Sequence, residues 1–196
     1  MTAAADDGGM HGDTRLSKDQ SPMSVRTTFH SCSWPVTVSH HSCSDFGPRG
    51  DRHVIVANDC EPNTLTTVEI GSAALYVHWE RKREDQPVHI LFLPETSVLF
   101  FGAGTLVVSL RVPSLEIVDR NNLCEFQGFR CKEGFVAQLG ELECNLYGTD
   151  GGRIATAAVD PPYEVEETPE GYKFTSDVAG VAWLRYPRNS TGIAPR

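Results

Sequence analysis

The side chains with the most intrinsic reactivity in this 196-residue sequence are its six cysteines and seven histidines. Five of them gather near the start: His30, Cys32, His40, His41 and Cys43. Zinc takes four such nitrogen and sulfur ligands in a tetrahedron. Zinc knuckles, however, hold their ligands two to four residues apart, and Cys32 and Cys43 are eleven apart. No framework of apolar residues surrounds them to pre-form a site. The segment is therefore expected to be polar tail, and no metal is assigned to it.

Four further groups carry chemistry. Cys131 lies between Arg130 and Lys132, a basic setting that favours a thiolate, but no histidine is near in sequence to serve as its base. Cys124 lies just upstream, and both read as structural thiols. Glu141 and Glu143 are two apart, so on a strand they share one face, where paired carboxylates serve acid–base or cation chemistry. That face is expected to be solvent, because Leu142, Cys144 and Leu146 alternate with it. His78 and His89 sit on neighbouring strand candidates and read as structural. Residues 160–167, Asp-Pro-Pro-Tyr-Glu-Val-Glu-Glu, read as a rigid loop presenting Tyr163 among acids. Gly-x-Ser-x-Gly, His-Glu-x-x-His, P-loop and Gly-x-Gly-x-x-Gly motifs do not occur.

Charge narrows the partners. The chain has 17 basic and 26 acidic side chains, a formal net charge of −9. Phosphate binding draws on an excess of Lys and Arg, so nucleic acid is not an expected partner. No apolar run reaches the length of a membrane-spanning helix, so no membrane partner is expected. Between Glu141 and Glu170 eight acids face one base, Arg153. Such a sector attracts a basic protein or a cation. Residues 1–30 show no apolar secretory core, so a cytoplasmic location with reduced thiols is expected. Arg49-Gly50-Asp51 and the sequon at Asn189 are then chance matches.

These side chains need a scaffold. Residues 1–52 lack helical or strand periodicity apart from a short run at Trp34–Val38, and they read as a flexible N-terminal tail. Residues 53–196 read as one all-β domain, with short β-branched runs separated by Gly, Pro, Asn and Asp. Aligning the chain on Gly71, Gly104, Gly140 and Gly180, spaced 33, 36 and 40 residues apart, exposes a repeat. Apolar residues follow each glycine at +2, +4 and +6: Ala73, Leu75, Val77; Leu106, Val108, Leu110; Leu142, Cys144, Leu146; Ala182, Leu184, Tyr186. A strand candidate precedes each glycine, and a third follows in three units at Val88–Phe92, Leu115–Val118 and Ile154–Val159.

The expected fold is about four three-stranded antiparallel units, each with a glycine bend. A unit of this size resembles the blade of a propeller of the quinoprotein or WD type. The chain departs from both: it has no repeated Trp-Asp or Gly-His pair and no repeated tryptophan. A β-sandwich built from the same strands is the alternative.

The expectation for function is a small acidic β-domain that binds a basic protein, as an immunity-type or adaptor protein does. Its contact residues would be Tyr163, Glu164, Glu166, Glu167, Glu141 and Glu143, with no cofactor. Two alternatives stand beside it: a hydrolase or lyase using Glu141 and Glu143 or Cys131, and a structural subunit that assembles through strand edges.

Overall fold

A computed structural model describes residues 26–29, 36–42, 53–57, 61–132 and 134–187. Every regular element among them is a strand. In chain order these are β1 (Arg26–Phe29), β2 (Val36–Ser42), β3 (His53–Val56), β4 (Thr64–Ile70), β5 (Ala73–Trp79), β6 (Val88–Leu93), β7 (Val98–Ala103) and β8 (Leu106–Arg111). They continue with β9 (Glu116–Asn122), β10 (Phe126–Lys132), β11 (Phe135–Gly140), β12 (Glu143–Gly148), β13 (Arg153–Ala158), β14 (Tyr163–Thr168), β15 (Gly171–Ser176) and β16 (Gly180–Arg185). No helix among the described residues is long and apolar enough to cross a membrane.

The strands form four small sheets: sheet I (β2-β4-β5-β3), sheet II (β1-β6-β7-β8-β9), sheet III (β10-β11-β12-β13) and sheet IV (β14-β15-β16). The fold is thus all-β and mainly antiparallel, as the alternating pattern requires. Two of its pairings are parallel: β1 beside β6 and β3 beside β5. Within the stretch 1–52, β1 pairs with β6, and β2 pairs with β4 from Val36 opposite Ile70 to Ser42 opposite Thr64.

The units divide differently from the three-strand repeat. Val88–Phe92, placed by sequence third in the first unit, belongs to β6 and pairs with β7 in the next sheet. The physical reason is the connection before it. Residues 80–87 are too long for a tight hairpin and carry β6 away from β5. The full unit, seen in sheet III, is four consecutive strands, and Leu115–Val118 and Ile154–Val159 overlap the fourth strands β9 and β13.

The four glycines are not equivalent either. Gly71 and Gly104 open two-residue hairpin loops with φ of 58° and 56°, a conformation that favours glycine. Gly140 instead ends β11, and the loop is Glu141-Leu142. Leu142 therefore sits on a bend, 49% exposed, not on the buried face expected for it.

Three cores hold the stack together. Between sheets I and II pack Val68, Ile70, Leu75, Val77, Trp79, Ile90, Phe92, Leu99, Phe101 and Val108. Between II and III pack Leu91, Phe100, Val107, Phe126, Val136 and Tyr147. Between III and IV pack Ala137, Leu139, Cys144, Leu146, Tyr172, Phe174 and Leu184.

The residue just before each central hairpin loop is Ile70, Ala103, Gly140 or Ser176, and it marks one face of its sheet. Sheets II, III and IV each turn that face toward the preceding sheet, which is propeller-like stacking. Sheet I turns it forward, so sheets I and II meet through equivalent faces, as the two halves of a sandwich do.

Sheets II and III approach closely at Gly102, where an added Cβ would lie 2.4 Å from the Phe126 ring. Phe126 is fully buried over that backbone, edge-on to His89 at 5.5 Å between centroids. Gly102→Ala is expected to lower unfolding free energy by about 1–3 kcal/mol through overpacking. Chemical denaturation checks this.

Candidate functional site

The acidic sector from Glu141 to Glu170 is the candidate site, and the fold takes it apart. Glu143 opens β12 on the face turned to sheet II. Its Oε1 accepts from Asn121 Nδ2 of β9 (2.7 Å) and from Asn145 Nδ2 (2.9 Å). The Asn145 amide also donates to Gln138 Oε1 (2.7 Å), and its oxygen accepts from the Thr156 hydroxyl (2.6 Å). Glu143 is thus held, half-buried, in a polar network that joins two sheets. Glu141, in the adjoining loop, accepts from the Cys124 thiol (Sγ to Oε2, 3.0 Å). Glu141 and Glu143 therefore do not share a strand face.

Tyr163 points inward. Its hydroxyl donates to the Gly140 carbonyl (2.6 Å) and lies 3.0 Å from Gln127 Oε1 and 3.5 Å from Cys144 Sγ. Its ring packs edge-on against Phe174. Tyr163 therefore ties sheet IV to sheet III and is not presented on a loop. The alternation Tyr163, Val165 inward and Glu164, Glu166 outward carried the strand signal that Pro161-Pro162 obscured. Glu167 pairs with Lys132 of β10 (2.9 Å), a second tie between the same sheets.

Glu164 and Glu166 remain on the outer face of sheet IV. Register places Glu164, Thr175 and Val181 in one row across the sheet, and Glu166, Lys173 and Trp183 in the next. Glu166 pairs with Lys173 (3.2 Å), and Glu170 in the following turn pairs with Arg185 (3.4 Å). The Arg185 guanidinium lies 5.0 Å from the centre of the Trp183 ring. Lys173, Val181 and Arg185 were not singled out from sequence, because only the cross-strand register places them beside Glu164 and Glu166.

The thiols are poorly set for nucleophilic work. Burial of its sulfur pushes the Cys131 thiol up to about 11, although part of the residue meets solvent. The hydrogen bond to Glu141 raises Cys124, and burial raises Cys144. His89 Nδ1 accepts the Phe129 amide (3.2 Å), so it works as a backbone anchor.

Of the five N-terminal metal-ligand candidates, His30, Cys32 and Cys43 lie outside the described residues, as do Arg49–Asp51 and Asn189. Among the described residues no group of three or more His, Cys, Asp and Glu is arranged to hold a metal ion. His41 Nε2 is 3.2 Å from Ser39 Oγ, and His40 belongs to an inter-strand relay. Trp79 Nε1 donates to Thr66 Oγ1 (2.9 Å), and Thr66 Oγ1 is 2.8 Å from His40 Nδ1. With its oxygen accepting from Trp79, the Thr66 hydroxyl has its own proton to give to a neutral imidazole.

No family model matches the chain, and no curated protein matches it. Among solved structures, Hsv2 of Kluyvelomyces marxianus is similar at 9% identity and a TM-score of 0.29, over 62% of this chain and 43% of that one. BamB of Moraxella catarrhalis is similar at 8% identity and a TM-score of 0.28, over 69% of this chain and 59% of that one. The chain spans less than two-thirds of the length of either.

Burial, then the charges of Arg81 and His41, lower the His40 pKa from 6.5 to about 4. Below pH 6.5 the unfolded chain takes up a proton that the folded chain refuses, so stability falls with pH until about 4. The melting temperature should drop across that window, and it should drop less in His40→Gln. Thermal circular dichroism from pH 7 to pH 4 checks both.

Proposed function

We propose that this chain is a protein-binding module whose contact surface is the outer face of sheet IV, and that its partner is a basic protein. The carrying observation is that, among the described residues, no sheet packs on that face. The corresponding faces of sheets II and III are apolar and covered by the next sheet, whereas this one carries Glu164, Glu166, Lys173, Thr175 and Arg185 beside Val181 and Trp183. Charge on this face is polarised: the acids Glu164 and Glu166 lie along β14, and the bases Lys173 and Arg185 lie on β15 and β16.

Glu164 and Glu166 are the recognition charges in this reading, with Glu170 beside them at the turn. Tyr163 and Glu167 support the same surface from behind by tying sheet IV to sheet III, while Glu143 joins sheet III to sheet II and Glu141 accepts the Cys124 thiol. The excess of acid over base in the whole chain adds long-range attraction for a cationic partner and repels nucleic acid. An immunity-type or adaptor role in the cytoplasm fits this electrostatic logic.

The double reversal Glu164→Lys with Glu166→Lys is expected to weaken capture of a basic partner by about tenfold or more, with the melting temperature nearly unchanged. Glu143→Ala should do the opposite: a lower melting temperature and retained affinity. Basic proteins retained from lysate on the immobilised chain, identified by mass spectrometry and titrated by calorimetry, supply the measurement. Equal affinity for the doubly reversed variant would sink the reading.

A further inference from the structure

β16 is the last strand of sheet IV, and among the described residues it pairs with β15 alone. In sheets II and III the corresponding strands β8 and β12 are each covered by a fourth, β9 and β13. An uncovered edge presents a row of N–H and C=O groups that templates another strand, and folded proteins blunt such edges with charge, bulges or cover.

Several edges of this stack are blunted. β9 carries Glu116, Asp119 and Arg120 and a bulge that leaves Val118 as an extra residue. β13 is bulged in the same way at Ile154. On β3, the Val56 carbonyl accepts from Arg120 Nη2 (2.6 Å). β10 ends with Arg130 and Lys132, and β14 holds Glu164, Glu166 and Glu167.

β16 lies beside β13 of sheet III but has neither a bulge nor a charge before its last residue. Its six residues keep an unbroken register with β15, its middle reads Val-Ala-Trp-Leu, and its one charge, Arg185, stands at the end. Val181 is 55% exposed on the outer face, one row from the partly buried Trp183.

We infer that β16 pairs antiparallel with the same strand of a second copy of this chain. Directly opposed residues of an antiparallel pair share a sheet face, so a two-fold axis at Ala182 keeps outer face with outer face. Val181 then lies opposite the partner subunit's Trp183, and Trp183 lies opposite the partner subunit's Val181. One pair of β-branched and aromatic side chains, used twice, covers the apolar surface that each copy leaves bare. A small residue at the axis lets the two backbones close to ladder distance. The result is a continuous six-stranded sheet. Glu164 and Glu166, on the far edge, stay open, so this pairing is independent of the acidic-surface reading.

Sedimentation equilibrium of the full chain over a concentration series tests the pairing. The expected result is a reversible dimer whose dissociation constant rises about tenfold or more in Val181→Lys, with far-ultraviolet circular dichroism unchanged. Hydrogen exchange on the unaltered protein gives a reading that needs no variant. The β16 amides should gain protection as concentration rises, while those of β9 and β13 do not. A monomer at every concentration, a dimer indifferent to Val181→Lys, or β16 amides whose exchange ignores concentration would each overturn the inference.

Discussion

Both faces of a sheet of three to five strands cannot be left in water when both are apolar, and that constraint organises this molecule. Val98–Ala103 is buried at every position because β7 lies between two other sheets. The same holds for most of β8, β11 and β12. A strand covered on both sides reads as a continuous apolar run, and only a neighbouring sheet on each side makes such a run stable in water. Most polar groups that enter these layers are paired, Gln138 Nε2 being an exception. The Asn121–Glu143–Asn145 network crosses from sheet II to sheet III, and Ser109 donates to the Gly151 carbonyl of the β12–β13 hairpin (2.7 Å). Each join sets the spacing of two sheets, so the outer face of sheet IV is positioned by contacts made well behind it.

That dependence explains how the acidic sector is used. Eight carboxylates lie close in sequence, yet the fold gives them several tasks. Glu143 and Glu167 hold sheets together, Glu141 accepts a thiol, and Glu164 and Glu166 face outward. In a strand, neighbouring residues point to opposite sides, so an acidic cluster along the chain becomes two separate surfaces. Charge density along a sequence locates a region; strand parity assigns each charge its job.

Much of the strand inventory was legible for the same reason. The alternation at Leu75 and Val77, Leu106 to Leu110, and Cys144 and Leu146 needs no tertiary information, and these residues are buried as the period requires. The choice between propeller and sandwich was not legible, because face parity relative to the next sheet is a relation between segments. The structure contains both relations, with sheets II to IV stacked in one sense and sheet I reversed. Sheet membership was hidden too. β6 follows β5 in sequence but joins β7, since the charged connection at residues 80–87 is long enough to carry it there. The Thr66 link between His40 and Trp79 depends on β2 lying beside β4, a pairing that the polar composition of residues 1–52 concealed.

The three separate cores have a consequence for how the molecule comes apart. Sheets III and IV are built from strands adjacent in sequence, and each joins its neighbours through its own apolar layer. Energy in such an array is close to a sum of nearest-neighbour couplings, so it need not be lost all at once. Sheets II and III, each held by two couplings, form the cooperative centre. Sheets I and IV each share a core with one neighbour alone, so these are the layers that open and reclose without disturbing the rest. The surface that carries Glu164, Glu166 and β16 therefore sits on one of the two singly coupled layers of the stack. A ligand seated there would act as the missing neighbour and tighten that end.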